Sequence, residues 1–180
     1  FRWLGATSVV SLGGPVMAQT ANRPAPENLT QTEADILEAF CERLVPSDGR
    51  GPGAAEAHAA HYIDRALGEV FAGSREDYRT GLAALDAYAQ KTHGKNFVAL
   101  TPVAQDAVLT ELEKGTVPGF ATSSAAFFTL VRNHTLQGMF SDPYYGGNEG
   151  FIGWTLLGYP GIRLAVSKND QAMNAKLPPV

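Results

Sequence analysis

Helix-start signals recur along the chain, and each is followed by apolar residues at helical spacing. Thr30 with Glu33 has the pattern of a capping box, and Thr101-Pro102 places an N-cap before a proline at the first helical position. Ser74 and Ser123 or Ser124 provide further N-caps. These signals and the apolar spacing predict helices over residues 30–45, 54–71, 74–94, 101–115 and 123–139. The sequence therefore predicts an all-α fold of about five helices in a compact bundle.

Length and composition narrow the class of protein further. A chain of 180 residues suits one domain with a real core, which we place at residues 30–180. A net charge of −4 argues against nucleic-acid binding, and a hydrophobic content of 44% argues against disorder. Cys41 is the single cysteine, so no disulfide can form within the chain. Its place in a helical pattern predicts a buried thiol, with a reactive or interchain-bonded thiol as the alternative.

The first residues have the character of an export signal. Residues 3–18 carry no charge, are rich in small residues, and end in the possible cleavage site Val16-Met17-Ala18. The opening FRWLG resembles the end of a twin-arginine signal. We therefore interpret residues 1–18 as the remnant of a twin-arginine-type signal and residues 19–29 as a linker rich in Pro and Asn. We expect the signal segment to be retained and to pack on a partner or near a membrane.

The last third of the chain is rich in aromatic residues, glycine and turn signals. Asp142-Pro143 and Pro160-Gly161 predict turns, and glycines allow a positive φ or a close approach of another surface. We predict an irregular C-terminal extension of the bundle, with residues 127–180 as a docking segment. Aromatic side chains beside such turns favour an interface with a partner protein. The predicted contact residues are Phe140, Asp142, Pro143, Tyr144, Tyr145, Asn148, Trp154 and Tyr159.

A group of polar residues offers a competing hypothesis. His58, His61 and Asp64 have helical spacing, and His134 could act as a general acid or base. The chain could then be a self-sufficient periplasmic enzyme or metal-binding protein. A solvated or interface face is the simpler interpretation of the first three, and His134 could brace the loop that follows it. The glycines at 146–150 lack the strand context of a phosphate loop, and no haem or iron–sulfur spacing occurs.

Three C-terminal motifs resemble the signature of the gluconate 2-dehydrogenase subunit 3 family. They are His134-Thr135-Leu136, the run from Phe140 to Asn148, and Gly153-Trp154 with the run from Leu157 to Gly161. The resemblance implies a small, non-catalytic subunit of a heterotrimer, without a cofactor of its own. A large subunit would bind FAD and oxidise the substrate, and a multihaem cytochrome c subunit would pass the electrons on at the cytoplasmic membrane.

The resemblance also implies a location and a role. The chain would lie in the periplasm, attached to the cytoplasmic membrane through the complex. It would support the folding, export and stability of the large subunit, with oxidation of gluconate to 2-ketogluconate as the expected reaction. An export chaperone that leaves after translocation is a further alternative. It differs in predicting no stable mature complex.

Overall fold

The computed structural model describes residues 24–180 except Asn174. Six α-helices and four short 3-10 helices make up this part of the chain, and no β-strand occurs in it. The α-helices are α1 (Gln31–Leu44), α2 (Ala59–Ala66), α3 (Arg75–His93), α4 (Pro102–Glu113), α5 (Ser124–Phe140) and α6 (Ile152–Leu157). The predicted all-α class is confirmed. The predicted signal at 1–18, its predicted retention and residues 19–23 of the predicted linker lie outside the described residues.

The predicted N-caps begin their helices where the sequence placed them. The Thr30 hydroxyl accepts a hydrogen bond from the Glu33 N–H, and the Glu33 carboxylate accepts one from the Thr30 N–H at 2.7 Å. Thr101 caps α4 and Ser123 caps α5 in the same way. Side-chain acceptors at these positions satisfy backbone donors that the first helical turn leaves free. Ser74 precedes α3, but its side chain makes no capping bond.

The prediction for the second helix was wrong in its bounds. The helix begins at Ala59 because His58, with a φ of 55°, has a left-handed backbone that cannot continue a right-handed helix. Beyond Ala66 the chain tightens into turns, in which the Gly68 and Glu69 N–H groups donate to the carbonyls three residues before them at 2.9 and 3.0 Å. The alanines at 54 and 57 are fully buried although they lie in turns before the helix, and they show why the predicted start was wrong. Apolar spacing correctly indicated burial, but small side chains are buried as readily by turns as by a helix.

Helix α5 lies at the centre of the fold and packs against each of the other five helices. The rings of Phe127 and Phe128 on α5 lie 6.3 Å and 5.8 Å from that of Phe40 on α1, between ring centroids. On α3, any side chain at Gly81 would overlap the Phe127 ring, so the glycine lets these two helices meet closely. The core also includes the fully buried residues Leu37, Tyr78, Leu82, Leu85, Phe97, Leu112, Val131 and Met139.

Cys41 is a buried, free thiol on α1. Its Sγ lies 3.2 Å from the Thr135 Oγ1 on α5, and no part of the residue is exposed. Burial raises the pKa of this thiol to about 12. The prediction of a buried small side chain is confirmed, and a thiol held in its protonated form is a poor nucleophile.

The residues before α1 are attached to the bundle by one buried carboxylate. Asp64 on α2 accepts hydrogen bonds from three consecutive backbone N–H groups, those of Glu27, Asn28 and Leu29, at 2.5, 3.0 and 2.7 Å. The Asn28 amide also donates to the Asp64 carbonyl at 2.8 Å. Asp64 therefore fixes the C-terminal end of the predicted linker to α2. Among the described residues, no helix combines the length and the apolar character needed to cross a membrane.

Candidate partner-docking surface

Two tight turns follow α5 and carry the exposed tyrosines. The Asp142 carboxylate accepts a hydrogen bond from the Tyr144 N–H at 2.9 Å, and Pro143–Tyr145 forms a 3-10 helix. Gly146 ends that helix with a φ of 91°, a conformation that glycine adopts without strain. The turn predicted at Asp142-Pro143 is therefore present. Together these features fix the backbone beneath Tyr144 and Tyr145.

Asn148 fastens the next part of the loop from inside. The residue is fully buried and has a left-handed backbone with a φ of 48°. Its N–H donates to the Gly138 carbonyl at 2.8 Å, and its side-chain amide donates to the Ser141 carbonyl at 2.9 Å. Its side-chain oxygen accepts from the Gly153 N–H at 2.7 Å. One side chain thus joins the end of α5 to the start of α6, which accounts for an asparagine in a conformation that most residues avoid.

Two glycines allow this loop to lie directly on α5, and a third lets α5 itself pack closely on α2. A side chain at Gly147 would overlap the carbonyl of Gly138, and one at Gly153 would overlap the carbonyl of Met139. A Cβ at Gly138 itself would come within 2.9 Å of the backbone of Ala59 on α2. The glycines of the signature therefore serve close packing between backbones, and they hold the loop in one position.

Trp154 supports the same loop from beneath. Its ring is 8% exposed, and its indole N–H donates to the Phe140 carbonyl at 2.9 Å. The rings of Phe151 and Tyr159 lie 5.3 Å and 5.1 Å from it, between centroids. Phe140 is itself partly buried against the core. Trp154 thus connects the end of α5 to the chain on both sides of α6.

The tyrosines of the loop point outward. Tyr144 is 81% exposed, Tyr145 54% and Tyr159 43%, and the first two rings meet edge to face at 5.3 Å. Across an open groove from Tyr144 and Tyr145 lie side chains of α2 and the turn after it, namely Tyr62, Arg65, Ala66, Glu69 and Val70. We call the exposed set Tyr144, Tyr145 and Tyr159 the tyrosine surface.

The predicted contact residues thus divide into two groups. Tyr144, Tyr145, Tyr159 and Asp142 are exposed, and Pro143 is partly so. The other three, Phe140, Asn148 and Trp154, lie behind the surface and support it. Sequence reasoning did not single out Leu156 and Leu157, which are also exposed on α6. Their signal was the apolar run between Gly150 and Gly158, but without the helix bounds its exposed side could not be told from its buried side.

The sequence from residue 31 to residue 161 matches the family model for gluconate 2-dehydrogenase subunit 3. The match covers well over half of the chain and includes the loop just described. The chain belongs to the gluconate 2-dehydrogenase subunit 3 family. It is accordingly an accessory subunit of a dehydrogenase complex of this type. No curated protein and no solved structure matches it.

In this subunit 3 chain, His58, His61 and Asp64 line one pocket, and His58 and Asp64 contact different groups. His58 lies before α2 with its Nδ1 3.8 Å from a Glu149 carboxylate oxygen, and Asp64 holds the backbone of residues 27–29. His61 is partly buried, and that burial lowers its pKa. Within residues 24–180, no group of three or more His, Cys, Asp or Glu side chains could hold a metal ion.

His134 of the subunit lies in an aromatic environment. Its ring stacks on Phe71 with centroids 3.8 Å apart, and its Nδ1 lies 2.9 Å from the Tyr78 hydroxyl. Burial raises the pKa of Tyr78 well above its usual value, so the phenol keeps its proton, and its hydroxyl shares a hydrogen bond with Nδ1. Burial also lowers the pKa of His134, which favours the neutral ring. The partners of His134 are thus core side chains that join α3 and the turn after α2 to α5.

Proposed function

We propose that this chain is the non-catalytic small subunit of a periplasmic dehydrogenase, and that it binds the FAD-bearing large subunit through its tyrosine surface. The observation that carries the proposal is the pairing of exposed aromatic rings with a loop locked from inside. Surface tyrosines that are free to move lose conformational entropy when they bind. Rings on a loop already fixed by Asn148 and by close-packed glycines lose less of it, so more of the contact energy remains as affinity.

The wider assembly is part of the same proposal. The large subunit carries FAD, a cytochrome c subunit carries haem c, and the complex is attached to the cytoplasmic membrane. The reaction of the complex is the oxidation of gluconate to 2-ketogluconate. The small chain supports the folding, export and stability of the large subunit, and it travels with that subunit on a twin-arginine-type signal. Family membership and the export-like first residues support these points.

Co-purification tests the docking surface. The chain, tagged, is produced together with the large and cytochrome subunits, and the flavin and haem absorbance that it retains is measured. A Tyr144→Ser, Tyr145→Ser double variant should retain roughly tenfold less flavoprotein or worse, because large aromatic contacts dominate interface energies. Val103→Ser is the matched control, since Val103 is also highly exposed but lies on α4. Equal retention by the double variant and the control would contradict the proposed surface.

If the unaltered chain retained neither flavoprotein nor cytochrome, the proposed subunit role itself would be contradicted. A colourless chain purified alone from its native membrane would favour the export chaperone, which leaves after translocation. A heterotrimer with both chromophores would establish the subunit role and leave the substrate to be identified by assay.

A further inference from the structure

The segment 162–166, Ile-Arg-Leu-Ala-Val, has an apolar pattern that the bundle does not use. Ile162, Leu164 and Val166 are 76%, 99% and 52% exposed. Their spacing of two residues is that of one face of a β-strand, whereas on a helix they would be spread around the axis. Pro160 and Gly161, with a φ of 78° at the glycine, separate this segment from α6. We call residues 162–166 the arm.

The backbone of the arm is also unused. None of its N–H or carbonyl groups forms a hydrogen bond with any other described residue, and the chain bends at Leu164. Both ends of the surrounding loop are nonetheless fixed. The Arg163 guanidinium donates to the Pro178 carbonyl, and the backbone of Val180 lies against Gly161 beside the Trp154 ring. The arm is therefore presented at a defined place, a few residues after the exposed Leu157 and Tyr159.

These features together select the kind of partner. A lipid surface could cover the apolar side chains, but it offers no hydrogen bonds to free backbone groups, which are costly to bury in hydrocarbon. The open edge of a β-sheet satisfies both needs, since it pairs with the backbone and accepts alternate side chains in pockets. Five residues is also an ordinary strand length. The bundle itself contains no strand among its described residues that could take this role.

We propose that the arm adds as a strand to an open sheet edge of the large, FAD-bearing subunit. This inference rests on the proposed function, because it takes the large subunit as the partner. It adds a second contact beside the tyrosine surface, made by backbone hydrogen bonds instead of aromatic rings. On binding, the bend at Leu164 straightens, and apolar side chains on one face of the arm are covered.

Hydrogen exchange measured on the assembled complex tests the proposal. The amides of residues 162–166 should exchange roughly tenfold or more slowly in the complex than in the free chain. Residues 168–171 of the same loop are the internal control, and their amides should still exchange fast, since all four side chains are polar and lack the alternation. If the complex forms while the amides of the arm still exchange fast, the proposed strand pairing is overturned and the proposed tyrosine surface is not affected. Protection of the arm in the free chain that increases with its concentration also overturns it, because the partner would then be a second copy. Protection by lipid vesicles alone overturns it as well.

Proline substitution distinguishes strand pairing from side-chain contact. Neighbouring amides of a strand point to opposite sides, so Leu164→Pro and Ala165→Pro remove hydrogen bonds on different edges. Only one of the two should reduce retention of the large subunit, by roughly tenfold, with Leu164→Ala and Ala165→Ser as side-chain controls. Equal effects of the two prolines would overturn the strand. Failure of the unaltered chain to retain any flavoprotein would overturn the proposed function, and the arm with it.

Discussion

At the scale of single residues, Asp64 has a stabilising role that the sequence did not reveal. Its buried carboxylate accepts three backbone hydrogen bonds from residues 27–29. Asp64→Ala leaves those donors without a partner and should lower the free energy of unfolding by about 3 kcal/mol, measured by urea denaturation. Asp64→Asn keeps one acceptor oxygen and should lose less. Equal stability of all three proteins would show that water replaces the carboxylate.

His134 gives the protein a predictable response to acid. Burial lowers the pKa of His134, so the folded state binds its proton less readily than the unfolded chain, whose histidine has a pKa of about 6.5. Stability from the neutral ring is therefore fully present above about pH 6.5 and is lost as pH falls through the folded pKa. The free energy of unfolding should decrease as pH is lowered from 7.5 to 5, and that of the His134→Gln variant should decrease less steeply.

His61 contributes to the same trend, because burial lowers its pKa too. His61→Gln is therefore a second test of the acid response. Each substitution should remove part of the pH dependence, and the double substitution should remove more than either. Identical pH profiles for the unaltered chain and His134→Gln would show that the Tyr78 contact tolerates a protonated ring.

At the scale of elements, the close approach between the loop and α5 depends on glycines, which have no side chain beyond a hydrogen atom. Gly153→Ala would drive a methyl group into the Met139 carbonyl, so α6 must shift. We expect a loss of about 3 kcal/mol in the free energy of unfolding. Gly73→Ala is the control, because Gly73 has open space around it and no positive φ. A tolerated Gly153→Ala would mean that α6 moves freely, and that the loop is less rigid than the contacts indicate.

The helices also show what local sequence can and cannot specify. Thr30, Thr101 and Ser123 mark helix starts because their side chains bond to backbone within three residues, a purely local property. His58 delays the start of α2 through a left-handed backbone conformation that no local signal requires. The short α6 was missed because Gly153, a poor helix former, is there to clear the Met139 carbonyl across the fold.

The candidate site also has features that local sequence specifies and others that depend on contacts between distant residues. Composition and turn signals located the loop and identified its tyrosines as outward contacts, a role that awaits the co-purification test. The inward roles of Asn148 and Trp154 depend on carbonyls at residues 138–141, which become neighbours only when the turn between Ser141 and Gly146 is formed. The sequence placed the arm only within the predicted docking segment 127–180, because the approach of Val180 to Gly161 beside the Trp154 ring joins residues that are distant in sequence.

At the scale of the whole molecule, exposed large apolar side chains are unevenly distributed. Among the described residues, most of them lie beyond residue 135, and only Val70, Val98 and Val103 precede it. In helices α1 to α5 most large apolar side chains are therefore buried, and the chain after α5 carries most of the exposed ones. Such an imbalance is typical of a protein that completes its burial by assembly.

Deleting residues 162–180 tests whether the bundle is stable without the end of the chain that follows α6. Few contacts attach this segment to the bundle, so the midpoint of thermal unfolding should change by no more than about 4 °C, and the helical circular dichroism should persist. Retention of the large subunit should fall, because the arm is gone. A large drop in thermal stability would instead show that the segment belongs to the core.

The state of Cys41 has a practical consequence for mapping the assembly. Its thiol is fully buried and its pKa is about 12, so alkylating reagents at neutral pH will leave it unmodified in the folded chain. The natural protein is in effect a cysteine-free background. A single cysteine introduced at Tyr145, Leu157 or Leu164 would carry a crosslinker or a spin label without competing signal, and each position would report separately which neighbour lies beside it.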